Sequence, residues 1–419
     1  MLPVGLNHNT DSWLGFDLVK AWLYQIDGGD EHELHSDNLA MPFETPTKPN
    51  EATSLDPWKT PRARVHAGHF PPSSIESSSD ISGRSSATRS GTVSPTKIET
   101  SLRRAETYPL QRTSISTLKK TADASLKTLL KDLGSYEQVR GVIPSGIRDC
   151  IEDLEDITNG PYPEWYTETT APQSVLEWEY QRLVHISEKS VECMERLDYE
   201  AGWNDRVHAP LLEVALETPA QAPFPSLFFR NITASLISSA VLQQDAVLKD
   251  TKVDYGIFLR PTGPDDELSI LIDNYIRANP FATMTHTTLP DKPRTPLAIS
   301  IETKSLSAKL NSGPAQLALW LRAQYQHLSQ FASAAGASDD CALPIMPVIL
   351  VLGDEWRVHF ARRTADNLFI HESINIGSSH TLVGCYQIIA GLRRLAVWAR
   401  SDYQDWWIRV LRSALPHDS

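Results

Sequence analysis

Cysteine is scarce in this sequence, and the few cysteines have no spacing that indicates a disulfide framework or a zinc site. The chain has 419 residues and four cysteines without a C-x-x-C pair, at Cys150, Cys193, Cys341 and Cys385. No secretory signal pattern is visible at the amino terminus. Reduced, buried thiols are typical of intracellular proteins, so we expect an intracellular protein that is not secreted.

Long hydrophobic runs and the familiar cofactor motifs are also missing. No apolar run approaches the roughly 18 to 20 residues that a membrane helix needs, so we expect no membrane partner. The chain has no G-x-G-x-x-G, Walker A or G-x-S-x-G motif, and "HELH" at residues 32–35 is one residue shorter than the H-E-x-x-H zinc motif. These absences argue against a dinucleotide-binding enzyme, a P-loop protein, a serine hydrolase and a zinc protease.

The charge balance is acidic, while the apolar content is ample. Hydrophobic residues make up 41% of the chain, which includes 11 Trp, and this is enough for a large core. The net charge is −13. Non-specific binding to nucleic acid depends on Lys and Arg that neutralise phosphates, so this charge argues against a broad nucleic-acid surface. It leaves room for a local basic cleft.

Composition and periodicity divide the chain into four segments. Residues 1–45 carry an amphipathic helical pattern, which we expect to form a docking helix followed by a loop. Residues 46–117 are rich in Ser, Thr and Pro and are predicted to be a disordered linker, because they cannot bury enough apolar area to offset their ordering entropy. Residues 118–198 are predicted to be a helical region, and residues 199–419 to be one α/β domain.

The last segment alternates between helical and strand patterns in the order α-β-β-β-α-β-β-α. Short β-rich runs include "KVDYGIFLR", "PLAISIETK" and "LPIMPVILVL", and the helical pattern "GPAQLALWLRAQYQHL" lies between the last two. Helices that flank a mixed sheet form an α/β sandwich. The sequence therefore predicts a central mixed sheet between layers of helices.

Acidic residues stand at the ends of two of these predicted strands. The apolar run Leu297 to Ile301 leads directly into Glu302 and Lys304, whose side chains share one face of a strand because strand side chains alternate. Asp254 lies at the start of "DYGIFL", in the preceding long strand pattern. If the two strands are neighbours, two carboxylates and one ammonium meet at one edge of the sheet.

Such a cluster has two interpretations. Mg²⁺ binds one or two carboxylates together with waters and phosphate oxygens, so Asp254 and Glu302 are candidate ligands for a cation that activates water against a phosphodiester. Lys304 would then orient the water or meet developing phosphate charge. In the alternative interpretation, Glu302 and Lys304 form an exposed ion pair that contributes less than about 1 kcal/mol.

These segments resemble the PD-(D/E)XK nuclease superfamily, and in particular the fungal PD-(D/E)XK nuclease-like domain proteins. The blocks "YEAGWNDRVHAPLLEVAL", "KVDYGIFL", "PLAISIETK", "GPAQLALWLRAQYQHL" and "YQIIAGLRRLAVWARSDYQDWW" are similar to those of the fungal group and occur in the same order. The similarity covers roughly residues 171–411. It implies a restriction-endonuclease-like α-β-β-β-α-β core.

The resemblance also implies roles for individual residues. Asp254 matches the first aspartate of the motif, and Glu302 with Lys304 match the E-x-K. Gln316 matches the polar residue on the following helix, which helps to place the lysine or a phosphate. These four residues form the predicted catalytic set.

A metal site follows from the same resemblance. The implied cofactor is Mg²⁺ or Mn²⁺, and its implied ligands are Asp254, Glu302 and the backbone carbonyl of Thr303. Glu200 matches an acidic residue that some members keep on the first core helix, and an ordinary solvated glutamate is the alternative there. Glu213, on the same helix, is a weaker candidate.

This sequence departs from the family pattern in two ways. Val253 stands where the motif has proline, and 48 positions separate Asp254 from Glu302. Residues 261–295 must therefore be an insertion, in which "TGPDDELSILIDNYIRA" predicts a helix. His286, also in the insertion, is a possible substrate contact, whereas His208 and the tryptophans at helical spacing are predicted to be packed in the core.

Two functions lead from the sequence, ahead of a non-nucleolytic metal-dependent hydrolase. The first is Mg²⁺-dependent hydrolysis of phosphodiester bonds in nucleic acid through the Asp…Glu-x-Lys site. The second is a non-catalytic or repurposed accessory or binding protein with a nuclease-like fold, which the acidic charge favours, since fold alone does not establish function. Short basic clusters such as Lys119-Lys120 favour the nucleus over the cytoplasm.

Overall fold

The computed structural model describes residues 94–152, 162–217, 226–242, 248, 251–263, 265–288, 294–307, 312–337 and 342–414. The predicted N-terminal helix and most of the predicted linker lie outside the described residues. All of the predicted site residues lie within them. Among the described residues, no helix combines the length and the apolar character that crossing a membrane requires.

A large mixed sheet forms the centre of the described structure. Eight strands belong to it, in the order β1-β9-β8-β7-β6-β5-β4, with β10 also paired to β8; β2 and β3 form a separate small sheet. The pairs β6–β7 and β1–β9 are parallel, and the other pairs of the large sheet are antiparallel. The strands are β1 (Leu110–Thr113), β2 (Ile143–Pro144), β3 (Tyr166–Thr167), β4 (Leu227–Asn231), β5 (Tyr255–Leu259), β6 (Leu297–Lys304), β7 (Met346–Leu352), β8 (Glu355–Arg363), β9 (Leu368–His371) and β10 (Ile374–Ser378).

Helices surround this sheet. They are α1 (Pro95–Arg103), α2 (Ile115–Thr121), α3 (Ala124–Glu137), α4 (Arg148–Glu152), α5 (Gln173–Glu195), α6 (Glu200–Trp203), α7 (Ala209–Leu216), α8 (Ser239–Leu242), α9 (Glu267–Ala278), α10 (Ser312–Ala334), α11 (Leu382–Trp398) and α12 (Gln404–Ala414). A five-residue π-helical segment, Asn204–His208, joins α6 to α7 and is called the π turn below. A second π-helical segment, Ala399–Tyr403, joins α11 to α12. Pro210 follows the π turn and has no N–H to donate, which favours a local break in the α-helical hydrogen-bond ladder.

The central strands are covered on both faces. Trp320 of α10 lies over one face of β6, where its indole Nε1 donates to the Ser300 hydroxyl at 2.8 Å. On the opposite face, the ring of His208 from the π turn contacts Trp356 of β8 edge to face. Strands that are covered on both faces read as continuous apolar runs, which is why "LAISI" and "MPVILVL" are strands without a polar side. The predicted fold class, a mixed sheet flanked by helices, is confirmed.

Several expectations for individual elements are confirmed. The insertion of residues 261–295 contains helix α9, as predicted. Trp203, Trp320, Trp398, Trp406 and Trp407 are all buried in the core. His208 is buried as well.

The linker prediction is wrong for residues 94–117. This segment forms α1, β1 and the start of α2, and β1 pairs in parallel with β9. Leu102 and Leu110 are buried by this docking. The few apolar residues of this segment follow a long polar stretch, and the segment owes its order to contacts with a distant strand, which local composition does not report.

Candidate active site

Asp254 and Glu302 meet at the ends of neighbouring strands. The antiparallel register pairs Tyr255 of β5 with Ile301 of β6, so the two acidic residues follow as the next opposed positions. The Asp254 N–H donates to the Ile301 carbonyl at 3.1 Å and fixes this alignment. Asp254 is 6% exposed and Glu302 is 0% exposed. The strand neighbourhood that the sequence only assumed is therefore present.

Lys304 connects the acidic groups. Its Nζ lies 2.6 Å from Glu302 Oε1 and 3.2 Å from Glu200 Oε2, and it donates to the Thr303 carbonyl at 2.6 Å. Three oxygens therefore surround an ammonium that has three N–H groups. The Glu302 and Lys304 side chains are only 1% and 12% exposed. The alternative interpretation, an exposed ion pair, is therefore wrong.

Glu302 is the most deeply buried ionisable group of the site. Burial raises the pKa of its carboxyl to about 8, against the lowering effect of Lys304, and the nearby Asp254 and Glu200 raise it further. Apart from the ionic contact with Lys304, neither buried carboxylate oxygen has a hydrogen bond of ordinary geometry. A buried polar atom without a partner is costly, so Oε2 has the character of a ligand atom. This chemistry fits a divalent cation.

The fit is to a cation held by few protein ligands. Within the described ranges, no three His, Cys, Asp or Glu side chains are grouped closely enough to hold a metal ion by themselves. Mg²⁺ keeps several waters and uses one or two carboxylates together with substrate oxygens, so a pair of carboxylates is consistent with it. The backbone carbonyl of Thr303 lies beside them, as its contact with Lys304 shows.

Glu200 begins helix α6 at the edge of this cluster. Partial burial raises the pKa of its carboxyl, Lys304 lowers it, and Asp254 raises it. The Glu200 side chain remains 37% exposed, so it faces solvent on one side and Lys304 on the other. Glu213 lies elsewhere on the same helical stretch, where its exposed carboxylate is near Arg182.

Gln316 makes a different contact from the one expected. Its amide Nε2 donates to the carbonyl of Lys252, two residues before Asp254. The side chain thus ties the first turns of α10 to the backbone that enters β5. The same end of α10 approaches Lys304 closely at Gly313, where an added Cβ would lie 3.5 Å from Lys304 Cγ and 2.6 Å from Leu350 Cδ1.

His286 does not reach the site. Its ring is buried against Trp320, with ring centroids 4.6 Å apart, and burial holds its pKa well below the usual value. The interpretation of His286 as a substrate contact is therefore wrong, and it is a core residue.

A polar network behind Asp254 was not predicted from the sequence. Asp254 Oδ2 accepts hydrogen bonds from the backbone N–H and the hydroxyl of Thr303, at 2.8 and 2.9 Å. Asn204 and His208 of the π turn continue the network on the opposite face of the sheet. The available signal was Asn204 and His208, two polar residues four positions apart in "GWNDRVHAPLL", since i and i+4 share one helix face.

Comparison with known proteins agrees with this architecture. The sequence model of the PD-(D/E)XK nuclease superfamily matches residues 151–404, which is more than half of the chain. The protein therefore belongs to the PD-(D/E)XK nuclease superfamily. No curated protein and no solved structure gives a significant match.

Proposed function

We propose that this protein is a Mg²⁺- or Mn²⁺-dependent nuclease that hydrolyses phosphodiester bonds of nucleic acid. The observation that supports this most directly is the buried carboxylate of Glu302, which has an unpartnered Oε2 and lies beside Asp254 and Lys304. A buried carboxylate with a raised pKa next to a charge partner is a frequent feature of functional sites. We also propose that its relatives within the superfamily are the fungal nuclease-like proteins.

Asp254, Glu302 and the carbonyl of Thr303 would hold the cation, with Glu200 as an outer acidic group. When bound, the cation polarises the phosphodiester and lowers the pKa of a coordinated water. Lys304 contacts Glu302 Oε1 and the Thr303 carbonyl, which are oxygens of the proposed ligand set. Ligation would therefore release the Lys304 ammonium to orient the water or to meet a phosphate oxygen.

The second candidate is an accessory or binding protein that keeps the fold without the reaction. The net charge of −13 favours it, because a nucleic-acid surface normally carries excess Lys and Arg. An accessory protein has no need for a buried carboxylate that lacks a hydrogen-bond partner, and this is why the nuclease is preferred. Nucleic acid is the proposed partner of the nuclease. The proposed compartment is the nucleus, which imaging of a fluorescently tagged chain tests.

Calorimetric titration with Mg²⁺ and Mn²⁺ separates the two functions. The wild type should bind the cation, Asp254→Ala and Glu302→Gln should abolish binding, and Glu213→Gln, an exposed carboxylate outside the cluster, should bind like the wild type. Cleavage of DNA and RNA should follow the same order. A wild type that binds no cation and cleaves neither polymer would establish the accessory protein instead.

A further inference from the structure

A buried chain of hydrogen bonds runs from the turn between β7 and β8 to Asp254. The Nε2 atom of His208 lies 2.8 Å from the Gly353 carbonyl, and its Nδ1 lies 2.9 Å from Asn204 Oδ1. The Thr303 hydroxyl lies 2.8 Å from the same Asn204 atom and 2.9 Å from Asp254 Oδ2. Among the described residues, the Thr303 hydroxyl links the π turn to the candidate ligand Asp254.

The available donors and acceptors fix the direction of each hydrogen bond in this network. A carbonyl only accepts, so His208 Nε2 must carry the hydrogen that it shares with Gly353. The imidazole is completely buried, stacked on Trp203 and against Trp356. Burial lowers its pKa to about 4, against the raising effects of the Gly353 hydrogen bond and of Asp354. At neutral pH the ring is neutral, and its Nδ1 is then an acceptor.

An amide oxygen of Asn204 facing that Nδ1 would place two acceptors 2.9 Å apart. The oxygen and nitrogen of an asparagine amide are told apart only by their hydrogen-bond partners, so the partners decide the orientation. With the amide nitrogen in this position, one N–H serves His208 and the other serves the Thr303 oxygen. The single hydroxyl hydrogen of Thr303 is then left for Asp254 Oδ2, and each of these hydrogen bonds pairs one donor with one acceptor.

We propose that Asn204 and His208 are positioning residues for Asp254, because the Asn204 amide nitrogen donates to both His208 Nδ1 and Thr303 Oγ1 and thereby directs the Thr303 hydroxyl at Asp254 Oδ2. Both hydrogen bonds that Thr303 donates to the carboxylate, from N–H and from hydroxyl, fall on Oδ2. They fix the rotation of the carboxylate, and Oδ1 is the oxygen that it offers to a cation. The consequence for metal binding rests on the proposed function.

The network also joins the elements that carry the site. The Tyr255 hydroxyl donates to the Asn204 carbonyl at 3.0 Å, so the π turn is bound to β5 as well as to β6 and the β7–β8 turn.

Partners of metal ligands orient those ligands, and their loss typically weakens metal binding about 10- to 100-fold. A network that served only stability would leave the affinity of the folded protein for the cation unchanged.

Nitrogen-15 NMR of the histidine side chains in the full-length protein tests the orientation of the Asn204 amide first. The wild type should show His208 as the neutral Nε2–H tautomer at pH 7. Asn204→Asp has nearly the same shape but only accepts, so it should hold His208 as the doubly protonated cation at pH 7. A wild-type His208 that carries its hydrogen on Nδ1, or that is already charged, would overturn the proposed direction of the chain.

The positioning role is tested with Mn²⁺ calorimetry on folded variants. Thr303→Val removes the hydroxyl while it keeps the branched shape and the backbone N–H, and it should weaken Mn²⁺ binding about tenfold or more. Thr303→Ser restores the hydroxyl and should restore affinity. Equal affinity of the wild type and a folded Thr303→Val protein would overturn the role. A wild type without Mn²⁺ binding would reject the proposed function and the positioning role together, while the tautomer result would still decide the orientation of Asn204.

Discussion

At the residue scale, the carboxyl group of Glu302 is the one whose burial most disfavours its ionised form. It is buried at the end of β6, and its raised pKa of about 8 comes from loss of solvent, which Lys304 only partly offsets. Because proton binding and folding are linked, this raised pKa makes the stability of the folded protein depend on pH. The site is therefore expected to weaken the fold of the metal-free protein at alkaline pH.

Glu302→Gln should stabilise the metal-free protein at pH 8.5 by at least about 1 kcal/mol relative to the wild type, since one pKa unit corresponds to about 1.4 kcal/mol. The folded carboxyl titrates near 8 and the unfolded one near 4.5, so between these values the folded state binds more protons and stability falls as pH rises. The contribution of Glu302 is complete below about pH 4.5 and lost above about pH 8.

Urea denaturation in the presence of a chelator, at pH 5.5 and pH 8.5, measures this difference. The exposed Glu213→Gln variant is the control and should follow the wild type at both pH values. If the advantage of Glu302→Gln over the wild type did not grow between the two pH values, the raised pKa would be refuted.

At the scale of elements, the segment before β2 adds an edge strand to the sheet and contacts the start of the helix that follows β6. Strand β1 pairs with β9 in parallel, and Arg112 of β1 donates to the Pro314 carbonyl in the first turn of α10 at 3.3 Å. The same turn of α10 contains Gly313, which lies against Lys304. Docking of β1 thus supports the helix end beside the proposed catalytic lysine.

Leu110→Ala should lower the free energy of unfolding by about 2 to 4 kcal/mol, because Leu110 is buried and its loss leaves a cavity. Gln111→Ala is the matched control: its side chain is exposed on the opposite face of the same strand, and the change should stay within about 0.5 kcal/mol. Urea denaturation measures both. Similar, small effects of the two substitutions would mean that β1 is not part of the cooperative fold.

At the scale of the whole molecule, several basic side chains of the described residues are paired with carboxylates. Lys304 is engaged by Glu302 and Glu200, Arg112 by Glu99, and Arg357 by Glu355. The net charge of −13 adds a general repulsion of polyanions. A nuclease with this charge pattern would depend on its cation and on local contacts more than on a broad basic surface.

Binding of a labelled, non-hydrolysable oligonucleotide to the cation-loaded wild type should therefore depend only weakly on salt. One or two phosphate contacts predict a fall in affinity of about tenfold or less between 50 and 200 mM salt, whereas six to ten contacts predict roughly 10³- to 10⁵-fold. Fluorescence anisotropy across this range gives the slope. A steep slope would reveal an extensive basic surface and reject this arrangement.

The sequence by itself determined the fold class, a mixed sheet flanked by helices, and identified the residues of the acidic cluster, whereas four strands stand between α10 and α11 where two were predicted. The strand pattern that begins at Asp254 and the apolar run that leads into "ETK" predicted two strands with acidic residues at their ends, since alternation along a strand is a local property. The catalytic and metal-binding roles of these residues stay predictions, as do the predicted domain boundaries outside residues 94–117.

Only the tertiary structure decided the burial of Glu302, the docking of residues 94–117 and the network through Asn204 and His208. Each of these depends on contacts between residues far apart in the sequence, which no local period reports. Gln316 shows the same limit, since its helix was predicted but its partner, the Lys252 carbonyl, was not. Local pattern fixes which face a side chain occupies, whereas its solvation and its hydrogen-bond partners depend on what the rest of the chain brings to that face.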